Sequence, residues 1–234
     1  MPARTASPTS PPAGPKRTRA PKEARREQLI DATLATLERK GLAAITLADV
    51  AEEAGLSRGI VNFHFESKEK LLFETLARLA AEYDANWRRE LAAAGPDAAA
   101  RLRALIAADF NDVVCTPRKV VAWFRFFGEA TSRSEYQDLC WARDDAHLET
   151  IRALFETLDR EEGYGLDADA TAMMAFATLE GLWLQMMLGN AEMDRAGGMA
   201  LALRLLGTLF PRHFAADGAL LPRRSADDAL SPRP

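Results

Sequence analysis

Cysteine is scarce in this chain of 234 residues, with Cys115 and Cys140 the only two. Neither sits in a C-x-x-C pair or a Cys/His cluster, which excludes a disulfide framework and a metal site of ligand spacing; a reducing cytoplasm is the expected setting. Long apolar runs are missing too. The longest, Met173 to Leu188, contains Glu180 and Gln185 and is shorter than a bilayer requires, so it reads as a buried or interface helix. The opening Met1-Pro2-Ala3-Arg4 passes into Ser, Thr, Pro and Gly, without the apolar centre of a signal peptide. Neither export nor membrane insertion is expected. No segment shows period-two alternation with β-branched residues, which excludes a sheet protein, and no internal repeat suggests stacked helical modules. Gly163-Tyr164-Gly165 lacks the strand and spacing of a nucleotide loop, and no nucleophile and base share a known setting. The sequence therefore argues against an enzyme and implies no cofactor.

What is present describes an ordinary folded protein: 48% hydrophobic and 27% charged residues, with a formal net charge of -4. The distribution says more than the sum. Between Arg4 and Arg26 lie Lys16, Arg17, Arg19, Lys22 and Arg25 against the single acid Glu23, whereas Asp144, Asp145, Glu149, Glu156, Asp159, Glu161 and Glu162 gather later. A basic front suits a surface facing nucleic acid. Residues 1–21, rich in Pro, Ser and Thr without apolar periodicity, read as a disordered arm.

From Lys22 onward the apolar spacing is helical. Leu29, Ile30, Thr33, Leu34 and Leu37 mark a first helix closed by Gly41. Thr46 caps a short second one through Leu47, Val50, Ala51 and Ala54, and Ser57 starts a third with Ile60, Val61 and Phe65 inward. Ser67 caps a long fourth helix carrying Leu72, Leu76, Leu79, Tyr83, Trp87 and Leu91 up to Gly95-Pro96. Asp97 opens a fifth with Leu102, Leu105, Ile106 and Val113 inward, and Thr116-Pro117 opens a sixth. A seventh runs from about Ser134 past Leu139, Arg143, His147, Ile151, Leu154 and Leu158. The last two, Asp167–Gly189 and Arg195–Phe210, are apolar nearly all round and must be buried or meet a partner chain. Pro211 stops the ninth. The fold expected is all-α: a three-helix helix-turn-helix unit over 22–70, joined by the long helix to a helical effector-binding and dimerisation body over 71–212. A flexible tail is expected over 213–234.

Residues 46–65 carry the chemistry. Two short helices can pack across a tight turn when Ala51 and Gly55 keep the approach small and Leu56, Ile60 and Val61 fill the gap. That leaves Arg58, Gly59, Asn62, Phe63 and His64 near the outward side, and Arg and Asn are shaped for bidentate contact with guanine and adenine edges. Thr46 and Ser57 place free N–H groups at two helix starts where phosphates bind, and Lys68 adds a charge at a third. Elsewhere the titratable residues read blandly. His147 is expected as a satisfied core or interface histidine and His213 near a frayed end, and Met173, Met174, Met186 and Met187 are packing or dimer contacts; no metal is expected.

The run Thr46-Leu-Ala-Asp-Val-Ala-Glu-Glu-Ala-Gly-Leu-Ser-Arg-Gly-Ile-Val-Asn-Phe-His-Phe-Glu-Ser-Lys-Glu-Lys-Leu-Leu72 resembles the DNA-binding signature of TetR-family repressors. The resemblance implies an all-helical homodimer that represses transcription from a palindromic operator until a small-molecule effector binds the body; an activator or a helical enzyme of the same fold is the alternative. Carried across, the DNA contacts fall on Thr46, Ser57, Arg58, Gly59, Asn62, Phe63, His64 and Lys68. Phe63 stands where many members have a tyrosine, so contact with a thymine methyl or sugar replaces a hydroxyl contact there. Arg25-Arg-Glu-Gln-Leu-Ile-Asp-Ala-Thr33, Gly163-Tyr-Gly-Leu166 and Glu180-Gly-Leu-Trp-Leu184 further resemble the BetI-type, choline-responsive branch. That branch implies an aromatic cage for a quaternary ammonium, to which Trp123, Phe127, Tyr136, Trp141 and Trp183 with Asp109 or Glu129 are assigned. It also implies pairing of two copies through the last two helices, about 167–210, which would set the recognition helices about 34–36 Å apart.

Overall fold

Each apolar stripe becomes a helix in the computed structural model, which describes residues 22–189 and 193–222. The arm expected over 1–21 and the end of the expected tail, 223–234, lie outside the described residues. Among those described there are nine helices: α1 (Lys22–Lys40), α2 (Leu47–Glu53), α3 (Arg58–His64), α4 (Lys68–Ala93), α5 (Ala98–Ala108), α6 (Pro117–Ala130), α7 (Ser134–Glu162), α8 (Ala168–Met187) and α9 (Arg195–Leu209). Among the described residues no helix is long and apolar enough to cross a membrane, and no group of three or more His, Cys, Asp or Glu is placed to hold a metal ion.

Starts and stops follow local chemistry. Ser67, Asp97, Thr116, Asp167 and Asp194 each accept a hydrogen bond from the backbone N–H three residues on, satisfying a donor that the first helical turn leaves orphaned. Gly163 ends α7 at φ +64°, a left-handed conformation that glycine adopts without the cost of a Cβ. The fifth helix stops at Ala108, earlier than Val113. Asn111 closes the chain into a turn there: its side-chain carbonyl accepts from Val113 N at 3.1 Å and its amide donates to Asn86 at 2.6 Å, while Asn86 donates to the Ala108 carbonyl at 2.9 Å.

The long α4 belongs to both ends of the molecule. Leu71, Leu72 and Leu76 face inward near its start, and Leu79, Tyr83 and Trp87 continue the same stripe toward α5 and α7. Burying each large apolar side chain is worth about 1.5–3 kcal/mol, so a single continuous core stabilises both halves. Three hydroxyls caught in it are partnered: those of Thr33, Thr36 and Thr75 donate to the carbonyls four residues back.

Past Pro211 the chain is ordered where looseness is expected. Residues 211–222 double back, with an isolated bridge between Phe214 and Leu220 and with Phe214 fully buried. The strap lies hard against α9, because a Cβ on Gly218 would stand 2.4 Å from the Leu203 carbonyl oxygen and one on Gly207 would stand 2.3 Å from that of Ala215. His213 is likewise no frayed residue: it bonds Tyr164 Oη at 2.8 Å and Glu161 at 3.1 Å.

Candidate nucleic-acid interface and ligand cavity

Thr46 and Asp49 cap α2 reciprocally. The Thr46 hydroxyl accepts from Asp49 N at 3.2 Å, and the Asp49 carboxylate accepts from Thr46 N at 3.0 Å. At the other end Gly55, at φ +63°, lets Leu56 N return to the Ala51 carbonyl at 2.8 Å and reverses the chain within two residues. Val61 and Phe65 anchor α3 in the core, and Ile60 and Leu56 are partly buried at the seam. Opposite them, Ser57, Arg58, Gly59, Asn62 and Phe63 are exposed, as is Thr46. Phe63 leaves 71% of its surface in water, an unusual amount for a benzyl ring.

His64 and Lys68 sit lower on the same edge, half-buried. The His64 ring stands edge-on to Phe63 at 5.2 Å, and burial, with the Arg26 charge behind it, lowers its pKa below 6.5. Lys68 donates to the Ala43 carbonyl at 3.2 Å, so its ammonium ties the start of α4 to the loop before α2. Arg26 escaped the sequence reading. From α1 it donates to the His64 carbonyl at 2.9 Å, pairs with Glu74 and lies 4.6 Å over the Phe65 ring. It thereby clamps the end of α3 to α1 and α4. Its position ahead of the first apolar stripe gave no sign of this, since the contacts are 38 and 48 residues away.

In the body a cavity is lined by Tyr83, Asp109, Phe124, Phe127, Arg143, Phe176, Leu179, Glu180 and Trp183. Of the residues assigned to an aromatic cage, the fold brings Asp109, Phe127 and Trp183 to its wall, with Trp123 directly behind, 5.7 Å from Phe127 and 6.5 Å from Tyr83. Three others go elsewhere. Trp141 is 57% exposed, because two residues along a helix from Arg143 is the opposite face. Tyr136 packs edge-on to Phe126 at 5.5 Å. Glu129 lines a separate groove with Glu38, Leu42 and Arg125. Tyr83, Phe124, Phe176, Arg143 and Glu180 take part unassigned. Arg143 was the legible one, a charge standing in the inward stripe of α7.

The cavity floor is polar. Tyr83 donates to Asp109 at 2.8 Å, and Trp183 Nε1 donates to the Asp109 carbonyl at 3.1 Å. With the phenol proton committed, His147 Nδ1, 3.2 Å from Tyr83 Oη, carries the hydrogen of that contact, which leaves Nε2 as a bare acceptor without a partner. Burial raises Asp109 to about 7; burial and then the Arg143 charge push His147 down to about 3. The 3.6 Å approach of these two groups is accordingly no ion pair at neutral pH. Cys115 and Cys140 are free and buried, raised to about 12 and about 11 by desolvation, and are unreactive thiols.

Comparison with known proteins gives two family matches that together span most of the described chain. Residues 29–75 match bacterial regulatory proteins of the tetR family, and residues 98–211 match the BetI-type transcriptional repressor C-terminal family. A protein named HTH-type transcriptional regulator BetI from Burkholderia thailandensis is 34% identical over 193 residues, covering 77% of this chain and 91% of its own length. Its namesake from Burkholderia cenocepacia is 32% identical over 186 residues with the same coverage. Among solved structures, a transcriptional regulator from Pseudomonas aeruginosa PAO1 superposes with a TM-score of 0.70 at 27% identity, over 82% of this chain and 93% of its own. One from Saccharomonospora viridis in complex with choline gives 0.68 at 23% identity, over 79% and 96%, a likeness of fold.

Proposed function

The chain belongs to the TetR family of transcriptional regulators, with a BetI-type C-terminal domain, and from that premise we propose that it is a homodimeric, cytoplasmic repressor released from a palindromic operator by an organic cation. The observation that carries the reading half of this proposal is the outward face of α3. Arg58 and Asn62 lie one turn apart, exposed, and each is suited to a base edge. Thr46, Ser57 and Lys68 are assigned to phosphates, Gly59 to close backbone approach, and Phe63 and His64 to sugar or methyl contact. Residues 22–70 act as the reading head and 71–212 as the sensing and pairing body. We read the protein as no enzyme, since its relatives are named as regulators.

The sensing half rests on the cavity, where Tyr83, Trp123, Phe127 and Trp183 present rings and Asp109 a carboxyl. Aromatic faces hold a quaternary ammonium once water is excluded, and choline bound to a structure of the same fold supports the choice of probe. Pairing is assigned to α8 and α9, where Met173, Met174, Leu184, Leu188 and Leu201 remain exposed. Fluorescence anisotropy with a labelled palindrome from the promoter beside the gene tests the whole. Nanomolar binding at moderate salt, reversed by millimolar choline, is the expected result; operator binding untouched by choline and related ammonium compounds would refute the effector assignment.

A further inference from the structure

The cage is already occupied by a cation of the chain's own. The Arg143 guanidinium carbon lies 4.5 Å from the Trp123 ring centroid, 5.0 Å from Tyr83 and 5.1 Å from Phe127. Its side chain is 4% exposed, so three aromatic faces hold a charge that water hardly reaches. Beside it the cavity retains only about 20 Å³ of free space, enough for a single water molecule. As the side chains stand, with Arg143 in place, this space is too small for an organic cation.

The surrounding charge tells which class of ligand could take its place. Arg143 pairs with Asp144 and reaches Glu180 at 3.3 Å, and Asp109 lines the same cavity. Three carboxyl groups thus face one guanidinium. An anion arriving beside Arg143 would meet these acids, and a cation arriving while Arg143 remains would meet a like charge in a poorly screened space. A cation that replaces Arg143 meets neither obstacle: the rings keep a positive charge against their faces, and Asp144 and Glu180 supply the counter-charge. The way out is short, because the partners of Arg143, Asp144 and Glu180, are 22% and 40% exposed and so stand at the edge of water.

We propose that Arg143 is an internal stand-in for the effector's head group, and that a small organic monocation binds by expelling the guanidinium from between Tyr83, Trp123 and Phe127. This inference rests on the cavity being the effector site. It makes binding an exchange: affinity is set by the difference between two cations in one cage, and Arg143 holds the site closed against weak or uncharged compounds. The expelled side chain also gives up its bond from α7 to Glu180 on α8, which connects occupancy of the cage to a helix with an exposed apolar face.

Isothermal calorimetry with choline and with tetramethylammonium, on the full chain and on Arg143→Ala and Arg143→Lys, decides it. Arg143→Ala should bind both cations at least tenfold more tightly than the parent protein, and methylguanidinium should compete for the vacated cage of that variant more strongly than for the occupied cage of the parent. Arg143→Lys keeps a competing charge and should stay within a few-fold of the parent; it also serves as the folded control should the alanine variant lose its near-ultraviolet dichroism. Equal or weaker cation binding by a folded Arg143→Ala, with the parent binding normally, would overturn the exchange and leave the effector site standing. Binding of neither cation by any of the three proteins would remove the effector site and the exchange together. Tight binding of a carboxylate such as butyrate that vanishes in Arg143→Ala would make Arg143 a ligand contact and overturn the proposal from the other side.

Discussion

Arg58 and Lys68 are both basic and both near the edge proposed to read DNA, yet their surroundings differ. Arg58 is exposed, whereas the Lys68 ammonium already bonds the Ala43 carbonyl. Arg58→Ala should therefore cost about 1–3 kcal/mol and relax preference at one operator position, while Lys68→Ala should weaken all sequences alike; anisotropy titrations against a panel of single-base operator variants separate the two. Asp109 and His147 make a second contrast. Asp109, raised to about 7, holds a proton in the folded state that it would lose unfolded above pH 3.8, so its contribution to stability falls as pH rises from about 4 to 7. His147, lowered to about 3, works in the opposite sense, and its contribution rises from about pH 3 to 6.5. The two offset between about pH 4 and 6.5. Asp109→Asn removes one side of that balance, and its stability relative to the parent protein should climb with pH by up to about 1.4 kcal/mol per unit in this window, as read by urea unfolding at several pH values. Parallel pH profiles for the two proteins would contradict these assignments. The exposure of single residues is legible in sequence where a motif carries them, as at Arg58 and Asn62; Tyr83, His147 and Arg143 appear only as members of inward stripes, because which stripes meet is a long-range matter.

Helices were read from apolar spacing and caps, and the caps show why that works: Thr46, Ser67, Asp97, Thr116 and Asp167 each bond a backbone N–H within their own first turn. Where the determining contact is distant, the reading falls short. Val113 continued the apolar spacing of α5, but the Asn86–Asn111 bond, between residues 25 apart, ends the helix sooner. The strap at 211–222 is illegible for a related reason. Its buried anchor, Phe214, sits among Ala, Asp, Pro and Arg without periodicity, and its fit depends on Gly218 passing under α9 at φ +81°. Gly218→Ala puts a Cβ against the Leu203 carbonyl in a backbone region that L-residues avoid. A loss of about 2 kcal/mol, or a melting temperature lower by about 4–8 °C, is expected in thermal denaturation. An unchanged melting temperature would show that the strap contributes nothing to stability.

For the molecule as a whole the apolar balance is incomplete. Met174 is 61% and Leu188 65% exposed along the outer face of α8, beside the exposed Met173 and Leu184, and on the proposed pairing a second copy covers this surface. Met174→Glu with Leu188→Glu should give a monomer by light scattering and lose most operator affinity, because a single reading head contacts one half-site. A double variant that stays dimeric would move the interface elsewhere. Two helices run from the cavity toward the reading head. α4 carries Tyr83 and, about 22 Å along its axis, Lys68; α6 carries Trp123 and Phe127 and also Arg125, whose guanidinium rests on Gly41 at the end of α1. The shared α4 has a consequence for how the protein melts. With Leu72 and Trp87 on one unbroken helix in one core, neither half can lose its packing while the other keeps it. Scanning calorimetry should show a single endotherm with calorimetric and van't Hoff enthalpies in agreement. A cation bound in the cage would then slow hydrogen exchange at the amides of Val61 and Phe65, in a part of the chain the ligand never touches.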